Sequence, residues 1–121
     1  MSDGKQHSPA GAPSPFVVAW LSGVPPGGTI LDVACGAGRH LRLARSLGYH
    51  VTGLDRDTSG VADLRGLPRT AIIEADLETP HGFPLRGQRF DGVIVTSYLW
   101  RPILPDIVAA VGPAGLLLFE T

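Results

Sequence analysis

The stretch LDVACGAGRH, residues 31–40, places an acid, Asp32, inside an apolar run and follows it with Gly36 and Gly38 around Ala37. An ionised carboxylate among apolar residues is costly without partners. Asp32 is therefore either an acceptor for an ammonium group or for backbone N–H groups, or an acid that braces the loop. Glycine permits positive φ and lets a ligand approach the backbone closely. A helix opening at Arg39 would aim free N–H groups at the same turn, a setting that favours a carboxylate or phosphate. A second acid, Asp55, stands nineteen positions after Gly36. That is close to the roughly twenty-residue spacing at which an acid meets a ribose hydroxyl pair in nucleotide-binding sheets. The alternative is that Asp55 merely sits in a turn with Asp57. A third acid, Asp76 in EADLE, can accept from the exocyclic amine of adenine while Leu77 covers the ring, or it is an ordinary loop acid.

These residues need a scaffold, and the sequence alternates to supply one. Apolar strands are expected at 29–34, 50–54, 70–75, 90–96 and 115–121. Helices are expected at 16–22, at 39–47 with Leu41, Ala44 and Leu47 on one face and Gly48 at its end, at 58–65, and at 105–111. Strands alternating with helices in units this short predict an α/β fold: a Rossmann-like, doubly wound, mostly parallel sheet of about five strands with flanking helices. Right-handed crossovers then bring the strand C-termini to one edge, where ligands bind. Thr96, Ser97 and Tyr98 end the fourth strand on that edge. Tyr98 and Trp100 either pack on a substrate or are core and edge aromatics. Arg101 either binds an anionic substrate or is solvated.

Composition sets the class. The chain has 121 residues, 44% hydrophobic and 17% charged, with a net charge of −1. Such a chain folds as one domain, and its charge gives no electrostatic case for nucleic acid or an anionic membrane. Residues 1–15, MSDGKQHSPAGAPSP, read as a flexible arm and 16–121 as the domain. No apolar run is long enough to span a bilayer and no secretory signal is evident, so a cytoplasmic protein is expected. Cys35 has no cysteine partner and reads as a small buried residue of the turn. His7, His40, His50 and His81 show no metal-ligand spacing, and no metal is expected.

Two adenosine-containing ligands fit the acids. A dinucleotide site usually carries a third small residue where this chain has Leu41. Asp32 would also repel a pyrophosphate, whereas it can receive an ammonium while the turn N–H groups and Arg39 take a carboxylate. That zwitterionic complement points to S-adenosylmethionine.

TILDVACGAGRH, VTGLDRD, EADLE and FDGVIVTSYLWRP together resemble the motifs of class I S-adenosylmethionine-dependent methyltransferases, especially the small bacterial enzymes related to tellurite-resistance methyltransferases. GPAGLLLFET resembles the family's fifth strand, and the resemblance covers residues 16–121. It implies a cofactor site at Asp32, Ala34, Cys35, Gly36, Gly38, Arg39, Asp55, Asp76, Leu77 and Thr96, with Tyr98, Trp100 and Arg101 toward the acceptor. Ala34 departs from the family, which often has glycine there. Family members usually continue through another helix and an antiparallel pair of strands, so the expectation is a fold incomplete at its C-terminus. Methyl transfer from a sulfonium requires no particular catalytic side chain, and none is assigned. The expected function is transfer of a methyl group to a small-molecule acceptor. The alternative is a non-catalytic adenosyl-ligand-binding or interaction module that forms a homo-oligomer through its exposed fifth strand. A nicotinamide-dependent oxidoreductase is disfavoured by Leu41 and Asp32.

Overall fold

The computed structural model describes residues 11–121. The first ten residues of the expected arm, with His7, lie outside the described residues. Five strands form one sheet: β1 Thr29–Val33, β2 His50–Asp55, β3 Thr70–Glu74, β4 Phe90–Thr96 and β5 Val111–Glu120. Their order is β3-β2-β1-β4-β5, and every pairing is parallel. The helices are α1 Pro15–Leu21, α2 Arg39–Ser46 and α3 Leu104–Ala109, with 3₁₀ turns at Ser59–Leu64 and Arg101–Ile103. The chain winds outward from β1 to β3, then returns to the other side of β1 with β4. The strand order thus reverses at β1, and the LDVACGAGRH turn leaves the sheet at that switch point.

Period-2 alternation divides the strand side chains between two cores. Ile30, Val51, Ile94 and Leu118 pack with Val17 and Leu21 of α1 and Leu41 and Ala44 of α2. Leu31, Val33, Leu54, Val93 and Val95 pack on the opposite face with Ile103, Ile107 and Leu77. Both faces are covered, which is why the central strands read as nearly continuous apolar runs. Each fully buried Leu, Ile or Val contributes about 1.5–3 kcal/mol of transfer free energy. Tyr49, buried between α2 and β2, donates its hydroxyl to the carbonyls of Val24 (2.6 Å) and Leu21 (3.2 Å), fixing the end of α1 to the sheet.

Several boundaries differ from the sequence-based expectation. Leu47 lies at the C-cap of α2 and is more than half exposed; the buried face is Leu41, Ala44 and His40. β5 starts four residues early: Phe90 pairs with Val111, an irregularity follows, and Gly92 pairs with Leu116. The segment expected as a helix at 58–65 is a 3₁₀ turn interrupted at Val61. Here Gly60 lies against the glycine turn, where a Cβ would sit 3.1 Å from the Ala37 Cα and 3.3 Å from the Gly36 carbonyl oxygen. Ser14, expected in the mobile arm, is buried at the N-cap of α1.

The turn itself runs through the left-handed region three times, at Ala34 (φ 58°), Gly36 (φ 56°) and Gly38 (φ 85°). Gly38 also has no room for a side chain: a Cβ would lie 2.6 Å from the Val61 Cγ1. Ala34 is the exception to the residue chemistry of the turn, because a Cβ in this region costs roughly 1–2 kcal/mol. Ala34→Gly relieves that strain and adds the unfolded-state freedom of glycine, about 0.5–1 kcal/mol. The expected net is a gain of up to about 1 kcal/mol in urea unfolding at unchanged m-value. A loss of stability on this substitution would mean that the Ala34 backbone is not strained.

Candidate functional site

The C-terminal ends of β1, β2 and β4 border two adjoining cavities of about 310 and about 170 Å³. Ala34 lines both and stands between them. The larger holds Asp55, Asp76, Leu77 and Tyr98, and the smaller holds Asp32, Cys35, Gly36, Gly38, Arg39 and Thr96. All ten residues expected to bind cofactor therefore lie on one rim, in two groups that share Ala34.

Asp55 ends β2 and faces the glycine turn across the sheet edge. Its Oδ2 accepts the Gly36 N–H at 2.8 Å and its Oδ1 accepts the Asp57 N–H at 3.0 Å. The nineteen-residue spacing is thus a direct contact between the acid and the turn. Asp76 closes an Asx turn by accepting the Glu78 N–H at 2.9 Å. Tyr98 donates its hydroxyl to the Glu78 Oε2 at 3.1 Å, joining the loops after β3 and β4 over the larger cavity. Burial, and then the Glu78 carboxylate, push the Tyr98 phenol up to about 12, so it stays a neutral donor at physiological pH.

In the smaller cavity Asp32 lies on the α2-facing side of β1 and is only 2% exposed. Burial pushes its carboxyl up to about 7, and the negative charge of Asp55 adds to the shift, while Arg39 and the Leu41 amide oppose it. Cys35 is raised to about 12, first by burial and then by Asp32 and Asp55. Its thiol is protonated and forms part of the cavity wall, so it is unsuited to act as a nucleophile. Arg39 lines this cavity but donates through Nη1 to the Ala12 carbonyl at 3.1 Å.

Two of the residues expected toward the acceptor lie elsewhere. Trp100 packs against the core on the α3 side, and Arg101 is exposed in the first position of the second 3₁₀ turn. Neither lines the two cavities, which Tyr98 alone of the three does. The β4 strand ends at Thr96, and the chain then turns at Ser97 (φ 55°).

Sequence reasoning missed two supports. Arg42 grips both oxygens of Asp63 (2.7 and 2.9 Å) and donates to the Ala37 and Gly60 carbonyls (3.1 and 3.0 Å). It staples the glycine turn to the 3₁₀ turn, and only the tertiary approach of Gly60 makes that visible. His40 is buried beneath the smaller cavity and its ring is held neutral by burial, with Arg39 acting in the same direction and Glu120 against. Its place in the first turn of α2 was legible, but its partners were not. Among the described residues no group of three or more His, Cys, Asp or Glu is placed to hold a metal ion, and no helix is long and apolar enough to cross a membrane.

The site is thus a slot of two cavities that share Ala34, with a buried acid in one and two acids in the other. Such a slot suits a ligand that carries a cation and several donors, and disfavours a pyrophosphate.

Residues 30–114 match the model of a family described as methyltransferase domain. No curated protein matches the sequence. Among solved structures the chain is similar to a TehB-like SAM-dependent methyltransferase from Corynebacterium glutamicum, at 24% identity and a TM-score of 0.67, covering 83% of this chain and 58% of that one. It is similar to an S-adenosylmethionine-dependent methyltransferase from Mesorhizobium loti at 26% identity and a TM-score of 0.64, covering 81% and 49%. It is also similar to coclaurine N-methyltransferase bound to N-methylheliamine and SAH, at 21% identity and a TM-score of 0.64, covering 84% and 33%. The chain therefore spans between 33% and 58% of the length of these proteins. With the family match running over 30–114, the strand order that turns back at β1 and the glycine turn at that point, the chain belongs to the methyltransferase-domain family.

Proposed function

We propose that the chain binds S-adenosylmethionine along the β1, β2 and β4 edge and belongs to a cytoplasmic enzyme that transfers its methyl group to a small-molecule acceptor. The observation that carries this reading is that two cavities share the lining residue Ala34, with Asp32 in one and Asp55 and Asp76 in the other. In this reading Asp32 receives the ammonium, and the carboxylate rests on the Gly36–Gly38 backbone at the open first turn of α2, with Arg39 beside it. Asp55 accepts from the ribose hydroxyls, and Asp76 and Leu77 hold the adenine, with Ala34, Cys35 and Thr96 as walls. The fit is supported by the space above Gly36, where an added Cβ would meet nothing within 4 Å. Similar structures support the ligand: coclaurine N-methyltransferase and a glycopeptide N-methyltransferase each hold SAH.

The cofactor supplies an activated methyl group for an in-line displacement. The protein's task is then to hold two reactants in line and to exclude water, and no general base is demanded by the transfer itself. Thr96 and Ser97, at the end of β4, border the smaller cavity where an acceptor would approach.

A second reading keeps the ligand and removes the turnover. β5 is a ten-residue edge strand, Leu117 is 37% exposed, and Val18 and Trp20 of α1 are more exposed still. An edge of this kind pairs readily with another strand. Binding without transfer, together with a dimer in sizing chromatography, favours this module. A monomer that transfers methyl rejects it.

Asp55→Ala is expected to weaken adenosylmethionine binding by about 10- to 100-fold in calorimetry, the worth of one hydrogen bond to a charged acceptor. An unchanged affinity removes the ribose assignment. Asp32 makes a prediction of opposite signs. Between its ordinary value of 3.8 and about 7 the folded chain holds a proton that the unfolded chain has lost, so stability falls as pH rises through that window. Asp32→Asn is therefore expected to raise Tm relative to the parent at pH 8 and to change it little at pH 4. The parent is expected to gain affinity several-fold between pH 6 and pH 7.5 as Asp32 ionises, and the same substitution to lower affinity at pH 7.5 and abolish that gain. Thermal scans and calorimetry at these pH values decide both halves.

A further inference from the structure

Ala12, Pro13 and Ser14 lie beside the smaller cavity and are tied to it by bonds across the chain. The Ser14 N–H donates to the His40 Nε2 at 2.9 Å, in a buried contact. The Ser14 hydroxyl donates to the Glu120 Oε1 at 2.6 Å, at the end of β5. The Ala12 carbonyl accepts from the Arg39 Nη1 at 3.1 Å. On its other side His40 meets the Thr96 Oγ1 through Nδ1 at 3.4 Å. Arg39, His40 and Thr96 all line the smaller cavity. Ser14 holds the N-cap position of α1 yet makes no side-chain cap, because its hydroxyl reaches Glu120 instead.

The chemistry of these contacts sets the state of the ring. An Nε2 that accepts a backbone N–H carries no proton, so a neutral His40 must carry its proton on Nδ1. That proton faces the Thr96 hydroxyl. The ring is 2% exposed, and burial first and Arg39 second oppose its protonation, with Glu120 the counter-charge on the other side. Asp32 lines the same cavity from β1.

We propose that His40 is a positioning residue: as the Nδ1–H tautomer it couples the docked segment Ala12–Ser14 to Thr96 and the wall of the methyl-transfer cavity, so that cofactor binding and docking of this segment strengthen each other. The coupling rests on the adenosylmethionine reading above. It differs from a purely structural contact through linkage: a segment that tightens cofactor binding by some factor must itself be tightened by the cofactor by the same factor.

Substitution at Ser14 separates the bonds. Ser14 has φ −60° and ψ 133°, so proline fits its φ and removes the N–H donor together with the hydroxyl. Ser14→Ala removes the hydroxyl alone. In nitrogen-15 NMR of the whole chain without ligand, His40 is expected as the neutral Nδ1–H tautomer near pH 7.5. It keeps that tautomer in Ser14→Ala and loses it in Ser14→Pro. With S-adenosylhomocysteine as the probe, calorimetry is expected to show affinity at least about fivefold weaker in Ser14→Pro than in Ser14→Ala, a difference of about 1 kcal/mol. In the parent chain the same ligand is expected to slow hydrogen exchange of the Ser14 amide by a similar factor.

A His40 that carries its proton on Nε2 in the parent chain overturns the proposal without any variant. Equal affinities of the two Ser14 variants, or a Ser14 amide whose exchange ignores the ligand, overturn the coupling while the cofactor reading stands. If the parent chain binds no S-adenosylhomocysteine, the cofactor reading falls and takes the coupling with it. If Ser14→Pro does not fold, the tautomer and exchange measurements on the parent decide the outcome alone.

Discussion

A carboxylate held in the middle of an apolar sheet is the constraint around which this molecule is organised. Asp32 is buried on the central strand, where burial and the neighbouring charge of Asp55 both press it toward its protonated form. A well-packed apolar or amide side chain would be less costly there, so the position lowers stability and supplies charge at the ligand edge. The surrounding structure limits the cost. The start of α2 directs its Leu41 amide toward Asp32, and Arg39 follows the turn with a positive charge. The strained Ala34 and the two left-handed glycines form the short passage from strand to helix that allows this approach.

The same crowding explains the packing of the turn. Leu41 occupies the position where dinucleotide-binding turns place a small residue, and the room for it comes from another strand. A Cβ on Gly53 of β2 would lie 2.7 Å from the Leu41 Cδ2 and 3.2 Å from the Cys35 Sγ. The small residue has moved from the helix to the sheet, and α2 can still lie close over β1 and β2. Arg42 and Gly60 then fix the outer side of the turn. The glycine turn is thus positioned from three directions, and its shape does not depend on a ligand to order it.

Dynamics and function meet at the N-terminal side of the domain. Ser14, His40, Thr96 and Glu120 come from α1, α2, β4 and β5, and their bonds gather four elements beside one cavity. A network of this kind is strong when every member is satisfied and weak when one is lost. It also places a short stretch of chain beside the smaller cavity. The edge strand β5 lies on the same half of the sheet, next to β4.

Much of this was legible in the amino-acid order. Alternating short apolar runs and amphipathic segments determine a parallel sheet, because each strand must be covered on both faces and each crossover needs a helix. Asp32, the glycine pair, Asp55 and Asp76 mark the edge because acids and glycines at strand ends are local signals. Other features needed the folded chain. Trp100 lies against the core and Arg101 is exposed, neither lining the two cavities, and β5 starts early through a pairing with Phe90 that no local pattern announces. The burial of Ser14 and the two-sided bonding of His40 join residues 26 and 106 positions apart. Sequence alone determined which residues could bear charge and where the chain could bend, since these are properties of single residues and their neighbours. Tertiary structure decided which of them share a cavity and which tautomer a buried ring must adopt, since those depend on contacts between distant segments.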